Sequence, residues 1–374
     1  MRILHVLGKL DRGGVETWLV QLLQNIDRKQ YRMDFLVHTT DPGAYDEDVR
    51  ALGSRIIPCL NPSNPVRYAV NFRRILNQYG PYDVIHSHVH HFSGYVLMLA
   101  AMSGVKVRIA HSHSDARQAK GSQTVARRAY LRIMQAMIST VATGGLAVST
   151  EAGCDLFGSH RCPTERWKLQ HLGIDLSRFD VPVDAHKVRG SLGIPPDALV
   201  IGHVGRFCEP KNHAFFVDIA RELVRTETRC FFLLVGEGSL RVAIEEKVRN
   251  YGLAKHFLFA GIRSDVPTLM KGAMDILLFP SLYEGLPITL LEAQAAGLRC
   301  LISNVISHEA DLVPELIRRE SLDRTPTEWA SSLLNFLSQL LPVSADALSA
   351  ALASRSISGS TNQLASYYVE SASV

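Results

Sequence analysis

The stretch Leu199-Val-Ile-Gly-His-Val-Gly-Arg-Phe-Cys-Glu-Pro-Lys211 decides the fold. It is apolar apart from His203 through Val204 and reads as a strand; Gly205 then turns the chain, and His213–Val224 follows with helical spacing. The chain opens on the same plan. Arg2-Ile-Leu-His-Val-Leu7 is a short apolar strand running into Gly8-Lys-Leu-Asp-Arg-Gly13-Gly14-Val-Glu16, with the helix-like run Val15–Ile26 behind it. A strand, a glycine loop and a helix thus begin twice, which implies two similar units.

The pattern extends from both starts. Strands are expected at Ile3–Leu7, Met33–His38, Arg55–Pro58, Val84–His86, Val107–Ala110 and Gly145–Val148, with helices at Val15–Ile26, Val66–Gln78, Tyr95–Met102 and Thr124–Met137 between them. The second series has strands at Leu199–Val204, Phe231–Val235, Phe257–Phe259, Ile276–Phe279 and Cys300–Ile302, and helices at His213–Val224, Leu240–Tyr251 and Leu286–Ala296. Strands that are continuously apolar, rather than alternating, are buried on both faces, which implies parallel α/β sheets. Asp175–Asp197, with Pro182, Pro195 and Pro196, has linker composition. The expected domains are residues 1–180 and 181–355. The serine-rich tail 356–374 either frays or crosses back to the first domain as a helix near Gln363–Val369.

A chain of 374 residues suits two cores better than one, and 47% hydrophobic with 20% charged residues excludes disorder and fibrous repeats. Residues 1–180 hold 22 basic against 15 acidic side chains, so the net +4 hides a basic front and a slightly acidic back. No secretory leader is visible, and apolar runs such as Tyr95–Met102 are too short to span a bilayer. Six scattered cysteines without paired spacing indicate reduced thiols, and a cytoplasmic location is expected.

Three constellations could carry chemistry. Gly13, Gly14 and Glu16 lie where a strand meets a helix, the place at which free N–H groups suit phosphate. Their spacing matches neither the dinucleotide fingerprint nor a P-loop. Arg206 and Lys211 flank a proline turn and could hold the two phosphates of a diphosphate. Glu284-Gly285-Leu286-Pro287-Ile288 leads to Glu292, with the first acid expected on a loop and the second two turns inside a helix. There the acids meet hydroxyls, and the N–H groups of Gly285 to Ile288 meet an anion. The plain alternatives are a tight turn, solvated cations and an exposed charge pattern.

Together these motifs resemble the retaining family 4 glycosyltransferases, from Arg2 to about Glu309. Supporting pieces are Asp83-Val-Ile-His86-Ser-His88, Val235-Gly236-Glu237-Gly238 and Gly261-Ile-Arg263-Ser-Asp265. Leu298–Glu309 and the Trp329 region are similar to bacterial exopolysaccharide and capsule enzymes. The resemblance implies the GT-B fold, two Rossmann-like doubly wound domains facing across a cleft, with an acceptor side first and a donor side second. It also implies a nucleotide diphosphate sugar donor, UDP- or GDP-linked, with no required cofactor. By the same resemblance Arg206 and Lys211 neutralise the diphosphate, helped by N–H groups near Gly14 and Leu286. Glu292 holds the ribose, and Glu284 the donor sugar or the face where positive charge develops. Gly236, Gly238 and Arg263 line the base and ribose, and His111 stands near the transferred sugar. Two departures bear on sugar choice: Leu172-Gly-Ile-Asp175 lacks the family's usual Asn, and Gly297-Leu-Arg-Cys300 lacks its usual proline.

His86, His88, His90, His91, His111 and His113 invite a metal, and alternating residues of a strand share a face. Without a carboxylate or cysteine at ligand spacing, no metal is expected. Residues 105–135 carry Lys106, Arg108, Arg117, Lys120, Arg127, Arg128 and Arg132 against Asp115 alone. This is either a solvated face or a surface for anionic lipid on the inner face of the cytoplasmic membrane. Nucleic acid is not expected, for lack of interleaved aromatics.

The sequence therefore predicts a glycosyltransferase moving a hexosyl unit to a glycan or lipid-linked acceptor. An epimerase or hydrolase of the same frame, or a non-catalytic nucleotide-sugar-binding subunit, remain the alternatives.

Overall fold

A computed structural model describes residues 1–113, 124–158, 167–339, 343 and 345–373. By internal contacts the chain forms two units, Met1–Gly173 together with Arg355–Val374, and Ile174–Ser354.

In the first unit the strands are β1 (Arg2–Leu7), β2 (Arg32–Val37), β3 (Ile56–Pro58), β4 (Val84–Ser87), β5 (Val107–Ser112), β6 (Gly144–Ala147) and β7 (Trp167–Leu169). They form one parallel sheet in the order β3-β2-β1-β4-β5-β6-β7. The strand order reverses at β1, the switch point at which open sheets of this kind receive ligands beyond their strand C-termini. Leu4, Val6, Ile85 and Ala110 join Phe72, Val96 and Ile138 from covering helices in one core.

The second unit repeats the plan with β8 (Leu199–Val204), β9 (Cys230–Val235), β10 (Phe257–Gly261), β11 (Ile276–Phe279), β12 (Arg299–Ser303) and β13 (Ile317–Glu320). Its parallel order is β10-β9-β8-β11-β12-β13. Phe216, Phe232, Leu278 and Trp329 centre its core. The α/β class and the doubly wound sheets agree with the sequence reading.

Several local expectations change. β7 and β13 were not foreseen; both are short edge strands, and their pattern of charge and partial burial gives no continuous apolar run. The proline-bearing stretch 175–197 contains two short helices, Ser177–Asp180 and Ala185–Ser191, the second capped by the Asp184 side chain on Lys187 N–H. The helix expected to start at Leu286 starts at Ile288 after Pro287, so Glu292 sits little more than one turn inside it.

Residues 357–372 form one helix on the first unit. Its Leu364 and Tyr368 are fully buried, and Ser360 Oγ accepts from the Trp18 indole at 3.0 Å. Ser356 caps it by accepting from Gly359 N–H. Removing buried side-chain volume here loses both transfer energy and packing. Leu364→Ala should destabilise the first unit by about 2–5 kcal/mol, seen as an earlier unfolding transition in denaturant; an unchanged midpoint would show that this helix adds nothing to the core.

Candidate functional site

The loops leaving β8, β9, β10 and β11 are joined by main-chain hydrogen bonds. Gly205 N–H donates to Val235 O, Phe207 N–H to Glu237 O, Gly236 N–H to Gly261 O and Leu282 N–H to Pro210 O, at 2.8–2.9 Å. Such proximity leaves no room for side chains at two positions. Gly236 and Gly238 have φ of 138° and 156°, and a Cβ on them would lie 2.1 Å from Gly205 O and 2.4 Å from Phe207 O. Asn212 turns the chain with φ 52° and donates its side-chain amide to Pro280 O.

This lacing sets Lys211 against Glu284, Nζ to Oε1 at 2.6 Å, with both side chains largely buried at 18% and 12% exposure. Lys211 also lies 4.7 Å over the Phe279 ring. Arg206 stands exposed at the same loop. Gly285, Leu286, Pro287 and Ile288 are buried as they enter helix Ile288–Ala295, where Leu290 and Leu291 N–H both donate to Pro287 O and the Ile288 and Thr289 N–H groups come too early for an intrahelical partner. Arg263 is paired with Asp265 at 2.6 Å. The structure thus gathers a cation pair, a carboxylate and a helix start at one edge of this sheet.

Glu292 is partly buried, and burial pushes its carboxyl up to about 7, with the Arg178 charge opposing. Relative to an ordinary 4.5, the folded chain therefore holds this proton more tightly. The stability this group contributes is complete below 4.5, falls as pH rises, and is spent above about 7.

In the first unit, Gly13 and Gly14 open helix Gly14–Asn25, with no side chain capping its start. Glu16 lies in its first turn. His111 is on β5 and fully buried. Its Nδ1 is 3.1 Å from His86 Nε2, and its ring lies edge-on to Trp18. Around it stand His5, His86, His88 and His113, with His5 opposite His86 in the β1–β4 pairing. His5 Nδ1 is 2.9 Å from His88 Nε2, His88 Nδ1 is 2.8 Å from His113 Nε2, and His86 Nδ1 is 2.7 Å from Tyr368 Oη. Burial holds all five imidazoles well below their ordinary range, His5 and His113 at about 3, so they are neutral at pH 7.

Sequence reasoning missed His5, Trp18 and Tyr368 in this group. A histidine inside an otherwise apolar strand is the available signal for His5; Tyr368 lies too far along the chain to suggest it.

Two family models cover most of the chain: "Glycosyltransferase Family 4" matches residues 12–178 and "Glycosyl transferases group 1" residues 184–339. EpsF of Bacillus subtilis (strain 168), described as a glycosyltransferase, is 37% identical over 89% of this chain and 86% of its own length. The chain belongs to the family 4 glycosyltransferases. The capsular polysaccharide biosynthesis glycosyltransferase CapH of Staphylococcus aureus is 24% identical over 91% of both chains. Among solved structures, Anabaena HepE in complex with UDP-glucose superposes with a TM-score of 0.82 at 17% identity, over 99% of this glycosyltransferase and all of that chain. That likeness is one of fold, GT-B.

No described helix of the glycosyltransferase is long and apolar enough to cross a membrane. Of the basic stretch, Arg117 and Lys120, with Asp115, lie outside the described residues. Arg127, Arg128 and Arg132 are exposed on helix Val125–Val141. Val125 and Ile133 are also exposed there, at 75% and 54%.

Glu292→Gln cannot ionise, so it should gain stability on the parent as pH rises from 4.5 to about 7, by at most about 3 kcal/mol. Thermal melts of both proteins across that range read the difference; a gap independent of pH would refute the raised carboxyl.

Proposed function

We propose that this chain transfers a hexosyl unit, with retention at the anomeric carbon, from a UDP- or GDP-linked sugar to a glycan or lipid-linked acceptor in exopolysaccharide or capsule synthesis. The observation that carries the reading is the Lys211–Glu284 pair beside Arg206 and the helix that opens at Ile288. A lysine held by one carboxylate and an aromatic face is oriented before any ligand arrives. Arg206 and Lys211 take the diphosphate, and first-turn N–H groups after Gly285 and Leu286 add their dipoles. Pro287, which has no N–H, sets the entry to that helix. Glu284 meets the donor sugar and Glu292 the ribose, while Gly236, Gly238 and Arg263 line the base side. In the same scheme Gly13, Gly14 and Glu16 serve donor binding, with N–H groups near Gly14 on the diphosphate, and His111 serves the transferred sugar.

In the reaction, the bond from the anomeric carbon to the diphosphate oxygen breaks as the acceptor oxygen bonds to the same face of that carbon. The acceptor proton passes to the departing diphosphate. Catalysis then rests on positioning and on cations that meet growing negative charge. No cofactor is required in this scheme.

The exposed arginines and apolar side chains of helix Val125–Val141 form a surface for anionic lipid at the inner face of the membrane. Each basic residue near such a surface contributes about 1 kcal/mol. The similarity to CapH and the UDP-glucose bound by HepE support the polymer and donor classes.

Arg206→Ala and Lys211→Ala should each lower kcat by about 10²–10³-fold with UDP- or GDP-sugars and acceptor, measured as nucleoside diphosphate release. Unchanged turnover would remove both residues from the diphosphate site. Fast release or conversion without acceptor supports the epimerase or hydrolase instead, and donor binding without turnover supports a binding subunit. Replacing Arg127, Arg128 and Arg132 together by Gln should abolish sedimentation with anionic vesicles at low salt; a parent that ignores such vesicles defeats the membrane reading.

A further inference from the structure

The five clustered histidines of the first unit, His5, His86, His88, His111 and His113, outnumber what the proposed transfer uses. They come from the C-terminal ends of three adjacent strands, β1, β4 and β5. Since His86 is level with Ile109 in the β4–β5 pairing, His88, two residues on, comes level with His111. Alternation then turns His86 and His88, like His111 and His113, to one face. Two groups of three, His5 with His86 and His88, and His88 with His111 and His113, each offer one ring nitrogen per residue within 4.8 Å of the others.

We propose that His88, His111 and His113 hold a divalent transition-metal ion of the zinc type. The inference goes beyond the sugar transfer proposed above, which requires no metal. His88 Nδ1 and His113 Nε2 already face each other at 2.8 Å. Zinc–nitrogen bonds of about 2.0–2.1 Å set tetrahedral ligands roughly 3.3 Å apart, so the pair opens by about half an ångström. His111 Nε2 is the third ligand. It is buried and has no hydrogen-bond partner among the described residues, an arrangement that is costly in a site without a ligand.

The nitrogens behind this group fit the assignment. With His88 bound through Nδ1, its Nε2–H donates to His5 Nδ1 at 2.9 Å. With His111 bound through Nε2, its Nδ1–H donates to His86 Nε2 at 3.1 Å, and His86 Nδ1–H then donates to Tyr368 Oη at 2.7 Å. One set of tautomers therefore satisfies the hydrogen bonds behind His88 and His111 and leaves a lone pair on each ligating nitrogen; the His88–His113 hydrogen bond is the one that the metal replaces. Partners of this kind orient metal-bound imidazoles and raise their basicity. Three imidazoles with no oxygen ligand select zinc, cobalt, nickel or copper over magnesium and calcium. The lack of a carboxylate or cysteine at ligand spacing, which argued against metal from the sequence, is met by a three-histidine set, as catalytic zinc sites also use.

The test is metal uptake by the full chain without donor or acceptor. After stripping by chelator and return to metal-free buffer, the protein should take up one equivalent of Zn²⁺, and Co²⁺ should give the visible absorption of a four-coordinate site. X-ray absorption at the zinc edge should show imidazole ligands at about 2.0–2.1 Å. His88→Gln and His113→Gln should each weaken uptake at least 10-fold, while the exposed-site control His308→Gln leaves it unchanged. Circular dichroism checks that the variants fold, and the edge spectrum of the parent stands if they do not. Absence of stoichiometric uptake, a spectrum dominated by non-imidazole ligands, or uptake that survives both substitutions in folded protein would overturn the proposal. Lys211→Ala should retain full uptake, which separates failure of the metal site from failure of the transfer assignment.

Discussion

Parallel pairing constrains everything else in this molecule. A strand joined to a parallel neighbour must be followed by a crossover, so every loop leaving a strand C-terminus emerges on the same side of its sheet. Each unit consequently has one chemically rich edge, at the C-terminal ends of its strands. In the second unit that edge holds Arg206, Lys211, Glu284 and the start of helix Ile288–Ala295. In the first it holds the glycines before helix Gly14–Asn25 and the histidine group.

The two edges achieve rigidity differently. On the second unit's edge the loops are bound by their own backbones, with Gly236 and Gly238 admitting contacts that any side chain would block. Lys211 is thereby held between Glu284 and the Phe279 ring, and its orientation does not depend on a ligand. On the histidine edge, side chains bond to side chains through a series of short nitrogen contacts. A backbone lattice tolerates changes in the residues it displays; a side-chain lattice does not, because each imidazole supplies the partner of the next.

The fold was legible because its signal is local. A short, mostly apolar run ending in a glycine identifies a buried parallel strand, so β1 and β8 could be read directly despite His5 and His203 within them. β7 and β13 could not, since an edge strand such as Ile317–Glu320 is charged and only half covered. In the site, Arg206, Lys211, Glu284 and Glu292 were visible as motifs, yet the ion pair between Lys211 and Glu284 joins residues 73 positions apart and follows only from the adjacency of β8 and β11. The histidines show the same limit. Two runs of alternating histidine were apparent, but their register across β4 and β5, and the arrival of His5 and Tyr368, are products of topology.

The helix 357–372 has a consequence for the order in which the molecule can be made. Trp18 waits for Ser360, 342 residues further along, and His86 waits for Tyr368. As the chain leaves the ribosome, residues 1–173 emerge first yet lack one wall of their core until all of the second unit has been synthesised. The second unit, continuous from Ile174 to Ser354, has no such dependence. The usual amino-to-carboxyl order of domain completion is therefore inverted. The part translated first is the last to close, and it does so through contacts of extreme sequence separation.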